Sequence, residues 1–166
     1  MSFLISIPIL AGLVIFQSVV LSNIPLLLGT VDIVLVVLLA WALQDRVQTA
    51  WHWSLIGGGF MTLLSGLPIG VYVLGYVGAT LMARYIKRRI WKFPFLGMLT
   101  ATFFGTLVLL SISWLARWLT GVYIQIGQAV LLIAFPSILL NLLITVPAFY
   151  VMKDLANRIY PKEIEV

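Results

Sequence analysis

Polar residues fall in narrow bands along the chain, and the stretches between them are almost continuously apolar. The apolar runs cover about Phe3 to Leu21, Pro25 to Leu43, Trp53 to Ser65, Pro68 to Tyr85, Phe93 to Leu115 and Gln128 to Met152. They do not alternate apolar with polar positions, as the strands of a membrane barrel do. A helix satisfies its own backbone in lipid and crosses with roughly 20 apolar residues. The pattern therefore predicts an all-α integral membrane protein of about six transmembrane helices in one bundle. A single multi-span domain fills residues 1–166, with Lys153 to Val166 as a polar tail.

The breaks between runs carry turn chemistry. Ser22-Asn23-Ile24-Pro25 ends the first run, and Pro25 suits the opening of the second, because a first helical turn does not use the missing N–H. The third run is short and contains Gly57-Gly58-Gly59, which implies tilt or a locally thinned bilayer. Thr62 to Gly70 reads as a hairpin between spans three and four. Ser65 and Gly66 would close one helix, with Gly66 in the left-handed conformation, and Pro68 would open the next. On that reading Gly66→Val disturbs the turn. Pro136 and Pro147 can each kink the last span. Trp51 and Trp53 suggest an interfacial aromatic belt.

Composition agrees: 63% of positions are apolar and only 9% charged, too little polar surface for a water-soluble protein of this size. A net charge of +5 raises nucleic acid as a partner, but the basic residues sit between hydrophobic spans, where they report orientation. Nucleic-acid binding is set aside. Cytoplasmic N- and C-termini place Arg46, the cluster Arg84, Lys87, Arg88, Arg89 and Lys92, and Lys153, Arg158 and Lys162 inside, leaving Arg117 outside. The N-terminus lacks a basic leader region and an evident cleavage site, so the first run is expected to be a retained helix. The basic cluster serves topology and anionic headgroups, with a cytoplasmic protein partner as the alternative.

Few residues could carry chemistry. Asp32 is the only acid within an expected span. It is either an N-terminal helix cap near the interface, with Thr30 beside it, or part of a polar pocket or partner contact. Asn141, in mid-span, must find hydrogen-bond partners, through carbonyls freed at Pro136 or around a central pocket. His52, the lone histidine, reads as solvated at the interface. There is no cysteine, and no zinc set, catalytic triad or carboxylate pair can be assembled, so neither enzyme activity nor a cofactor or metal is expected. Gly75, Ala79 and Ala83, and Gly97, Ala101 and Gly105, recur at a spacing of four, which packs helices closely within the chain or against a partner helix.

Three stretches in order carry a resemblance: Asp32 to Leu43, Gly57 to Gly70 including Leu63-Leu64-Ser65-Gly66-Leu67-Pro68-Ile69-Gly70, and Asn141 to Pro147. Together they resemble the rod shape-determining protein MreD family of the bacterial cytoplasmic (inner) membrane. Thr62 departs from that pattern, since the family usually has an acidic residue there. The resemblance implies a fold similar to the substrate-binding subunits of energy-coupling-factor vitamin transporters. It also implies a non-enzymatic scaffold of the cell-elongation machinery that binds MreC, a single-span membrane protein. Through MreC it would act with the lateral-wall peptidoglycan synthase complex, either one-to-one or as a homodimer in a two-to-two assembly. The alternative function is a vitamin-uptake subunit, with Asp32, Tyr72 and Asn141 lining a ligand pocket. Such subunits present an Ala-x-x-x-Ala patch on their first helix, and here Ala11 is followed by Ile15.

Overall fold

The computed structural model describes residues 2–19, 29–89, 93–123 and 125–160, and its elements are helical. They are α1 (Ser2–Val19), α2 (Ile33–Ala42), α3 (Ala50–Leu64), α4 (Val71–Arg89), α5 (Pro94–Leu119), the single turn α6 (Ile126–Gln128), a π-wound segment (Ala129–Ala134) and α7 (Phe135–Ile159). Pro94–Leu119 and the continuous helical stretch Ile126–Ile159 are long and apolar enough to cross a membrane. Leu4–Val19 and Ile33–Ala42 are apolar but shorter.

Helix α2 is the axis of the bundle. Its sequence Ile33-Val34-Leu35-Val36-Val37-Leu38-Leu39-Ala40-Trp41-Ala42 has no polar face, and a helix apolar all round is stable only when enclosed. Every residue from Val34 to Ala42 is buried, with α1, α3, α4, α5 and α7 packed around it. Ten residues span about 15 Å, half a bilayer core. The expected second span from Pro25 is therefore corrected: residues 29–32 are not helical, and residues 20–28, including Pro25, lie outside the described residues. At the far end of α2 the unpaired carbonyls are met from several sides. The Gln44 amide donates to Ala40 C=O at 2.9 Å, and Lys87 Nζ of α4 donates to Gln44 C=O at 2.6 Å.

Glycine makes the α3–α4 contact close. A Cβ on Gly58 would lie 2.6 Å from Val73 Cα and 2.9 Å from its nitrogen, so only hydrogen fits there. The hairpin joins these helices differently from the sequence expectation. Ser65 ends α3 in an extended conformation, φ −92° and ψ 149°, with its N–H bonded to Met61 C=O. Gly66 is not in the left-handed region; Gly70 is, at φ 93°, and α4 begins at Val71 rather than at Pro68. The turn is made at its end, where the chain reverses into α4.

The stripe Gly75, Ala79 and Ala83 on α4 and the stripe Gly97, Ala101 and Gly105 on α5 are all buried, and α4 and α5 form the most extensive helix pair. A Cβ on Gly75 would run into Leu109, and one on Gly105 into Leu39 Cδ1 at 2.8 Å. Small residues are thus spent on packing within the chain, as close backbone approach requires.

Beyond α6 the chain winds as a π-helix, with the Phe135 N–H donating to Val130 C=O five residues back, and Pro136 follows at once. The wider turn accommodates a ring that cannot donate and would crowd an ordinary turn. Helix α7 then runs past Pro147 to Ile159, seven residues beyond the expected end of the span at Met152. Arg158 pairs with Asp154 at 2.8 Å on that extension. The expected tryptophan belt is also revised. Trp51 is exposed, but Trp53 is fully buried and stacks on Trp41 with ring centroids 4.4 Å apart. His52 lies against Trp51, centroids 3.7 Å apart.

Candidate functional site: a buried polar junction below the hairpin

Polar residues enter the apolar bundle in register. Ser137, Asn141 and Thr145 follow one another at four-residue intervals on α7, as do Thr102 and Thr106 on α5, so each set shares one helix face. All five are buried. They meet Asp32 just ahead of α2, Tyr76 of α4 and Gln17 of α1.

Asp32 is the centre of this junction. Its Oδ1 accepts the Leu35 N–H at 2.9 Å, which makes it the N-cap of α2. The Tyr76 hydroxyl lies 2.9 Å from both carboxylate oxygens, and the Gln17 amide is a further donor. The Asp32 N–H donates in turn to Asn141 Oδ1 at 2.8 Å. Of the two readings of Asp32 from sequence, the helix cap is seen directly, and the polar surroundings expected of the other are supplied by Tyr76 from within the chain. Among the described residues Asp32 has no salt bridge, so the carboxylate is held by hydrogen bonds alone.

Asn141 completes the link between helices: its Nδ2 donates to Thr106 Oγ1 at 3.0 Å. Its side chain is therefore not spent on carbonyls freed at Pro136, as one sequence reading had it. Thr106 Oγ1 donates to Thr102 C=O at 2.8 Å, and Thr145 Oγ1 lies 2.7 Å from Asn141 C=O and 3.1 Å from Thr102 Oγ1. The Thr30 N–H, ahead of α2, reaches Ser137 Oγ at 3.1 Å. Gln17 Oε1 accepts the Val34 N–H at 3.1 Å, so a second first-turn donor of α2 is met by a side chain from another helix.

Next to the junction lies a cleft of about 470 Å³ whose walls include Gln17, Thr30, Met61, Ser65, Tyr72 and Arg117. Gly66 and Pro68 also line it. Tyr72 packs edge-on against Tyr76, centroids 5.5 Å apart, and so connects the cleft to the junction. Ser65 Oγ is buried without a hydrogen-bond partner.

Of the residues singled out from sequence, Asp32 and Asn141 touch directly, and Tyr72, Ser65, Gly66 and Pro68 gather at the cleft. Thr62 turns back on its own helix, donating to Gly58 C=O at 2.7 Å, so it takes no part in the junction. Gly70 shapes the turn, and Pro147 is exposed on α7, so neither belongs to the site. The basic residues Arg84, Lys87, Arg88 and Arg89 sit at the other end of α4; Lys92 and Lys162 lie outside the described residues. Gln17, Tyr76, Thr102, Thr106, Ser137 and Thr145 were missed. The signal that could have found most of them is the four-residue spacing of small polar side chains within apolar helices.

The junction contains one carboxylate and no histidine, and the described residues hold no group of three His, Asp or Glu side chains that could bind a metal ion. Its chemistry is hydrogen bonding, which fixes α1, α2, α4, α5 and α7 relative to one another, with α5 and α7 engaged near the middle of their length. Comparison with protein families, with characterised proteins and with solved structures finds no match to this chain.

Proposed function

We propose that this chain is a multi-pass scaffold of the bacterial cytoplasmic membrane, with six crossings, both termini in the cytoplasm, and an MreD-like role. In that role it binds an MreC-like single-span protein and through it helps regulate lateral peptidoglycan synthesis. One observation carries the reading. Two of the three stretches behind the resemblance, separated by 109 positions, meet in the hydrogen bond from Asp32 N–H to Asn141 Oδ1, and the third, the hairpin, lines the adjoining cleft. The distribution of basic residues supports an orientation with that end outside the cytoplasm, where the extracytoplasmic part of such a partner would begin.

Co-purification in mild detergent tests this. Affinity-tagged protein should carry an MreC-like single-span protein with it; recovery of only an ATPase-linked transport module would refute it.

The cleft supports a second reading, a vitamin-uptake subunit, because about 470 Å³ with mixed polar and apolar walls suits a small ligand. That reading requires a vitamin retained by the purified protein. Denaturing the protein and analysing the released small molecules decides between the two.

A further inference from the structure

At the opposite end of the bundle from the hairpin, a recess of about 410 Å³ lies between the α2–α3 connection and the last turns of α4. Its lining divides into two kinds. Ala42 and Val47, almost fully buried, supply apolar surface. Arg84, Lys87 and Arg88 supply positive charge, with Gln48 as a neutral polar group and Asp45 as the single acid.

The charges in the recess are unequally engaged. Lys87 is committed to the fold, since its amine donates to Gln44 C=O at 2.6 Å and lies 3.7 Å from Asp45 Oδ1. Partial burial pulls the Lys87 amine below the usual lysine range, Asp45 pushes it back up, and the neighbouring Arg84 guanidinium lowers it further. Asp45, 96% exposed, is the one acid at the rim and meets Lys87 only at 3.7 Å, so three cations face one solvated carboxylate. Arg84 and Arg88, one helical turn apart on α4, face the same recess and have no salt bridge among the described residues. Arg89, by contrast, lies over the Tyr85 ring at 5.9 Å and is not part of the recess.

Two guanidinium groups beside apolar surface fit a phosphate ester attached to a hydrocarbon chain, because each guanidinium can grip phosphate oxygens through paired N–H donors. We propose that the recess is a binding site for the phosphodiester headgroup of an anionic phospholipid, with Arg84 and Arg88 on the phosphate and Ala42 and Val47 beside the acyl-chain end. The site rests on the multi-span reading and goes beyond it. It requires one specific place for one lipid, where the distribution of basic residues requires only a general attraction to anionic membranes.

The test uses the full chain in nanodiscs containing phosphatidylcholine with a minority of phosphatidylglycerol, released into gentle detergent and weighed intact by native mass spectrometry. Wild-type protein should retain one phosphatidylglycerol in preference to phosphatidylcholine. Arg84→Gln with Arg88→Gln should weaken that retention by about tenfold or more, the loss expected from removing charge-assisted hydrogen bonds. Arg89→Gln, which removes the same charge outside the recess, should retain the lipid as wild type does. Equal retention by the double variant and wild type overturns the proposal. Displacement of the lipid by millimolar inorganic phosphate also overturns it, since the recess would then be a site for the free anion. Failure of the protein to enter nanodiscs would refute the multi-span reading itself, an outcome distinct from either.

Discussion

Replacing Asn141 by Leu measures what the junction contributes. The two side chains share the same branching, with Leu the bulkier, so the change removes hydrogen bonds without opening a cavity. Two bonds disappear, from Asp32 N–H at 2.8 Å and to Thr106 Oγ1 at 3.0 Å, and the two losses are unequal. Thr106 keeps its own bond to Thr102 C=O and loses only an acceptor role. The Asp32 N–H has no substitute, because residue 32 is only 8% exposed and its amide precedes the first turn of α2. An orphaned buried donor costs about 1–3 kcal/mol, whereas a side-chain bond between helices in a membrane averages about 0.6 kcal/mol. We therefore expect Asn141→Leu to cost about 2 kcal/mol and Thr106→Val, which leaves one buried Asn141 Nδ2–H without its acceptor, about 1 kcal/mol. The double variant should lose less than the sum, since the Thr106 bond ends on Asn141. The assay is reversible unfolding of detergent-solubilised protein in SDS, followed by tryptophan fluorescence. An Asn141→Leu variant within about 0.5 kcal/mol of wild type would refute the assignment of Asn141 as the link between α2 and α7.

Three further outcomes follow from the same geometry. Tyr76→Phe removes the hydroxyl shared by both Asp32 oxygens, and should lower stability by about 1–3 kcal/mol in the same unfolding assay, the cost of leaving a buried acceptor short of a donor. Gly58→Leu cannot fit against Val73, so it should part α3 from α4 and cost at least about 1–3 kcal/mol, seen as a lower unfolding midpoint or lower yield of folded protein. Gly70→Val should destabilise by about 1–2 kcal/mol because of its left-handed backbone, while Gly66→Val, facing open space, should be nearly neutral; the opposite order would show the turn to be wrongly placed.

How far the sequence could be read depended on whether a feature was local. The helices were legible because the long apolar runs are separated by Pro, Gly and charge, and their placement holds to within a few residues for α1, α3 and α5. Asp32 and Asn141 stood out because ionisable and amide groups are costly in apolar surroundings. Their direct contact was not legible, since nothing in the pattern couples positions 109 apart. The second run misled for a physical reason. Gly29-Thr30-Val31-Asp32 lies between the apolar runs Leu26-Leu27-Leu28 and Ile33 to Leu43 and reads with them as helix, but here its backbone bonds Ser137 and Asn141 side chains of α7 instead. Trp53 misled likewise: a tryptophan beside a loop reads as an interfacial anchor, and only the partner ring of Trp41 reveals it as core. The hairpin was found but its strained residue misassigned, because Gly66 and Gly70 are equally suited by composition, and the choice depends on how the chain enters α4.

The most direct test of the bundle's orientation is chemical labelling of intact cells, which the absence of native cysteine makes clean. Ile69→Cys, at the 95% exposed tip of the hairpin, and Arg89→Cys, at the exposed far end of α4, report the two sides. With a membrane-impermeant maleimide, the six-crossing account predicts labelling of Ile69→Cys in whole bacterial cells whose outer membrane has been made permeable. Arg89→Cys should label only after the inner membrane is opened as well. Labelling of both positions on the same side, or the reverse pattern, would contradict it.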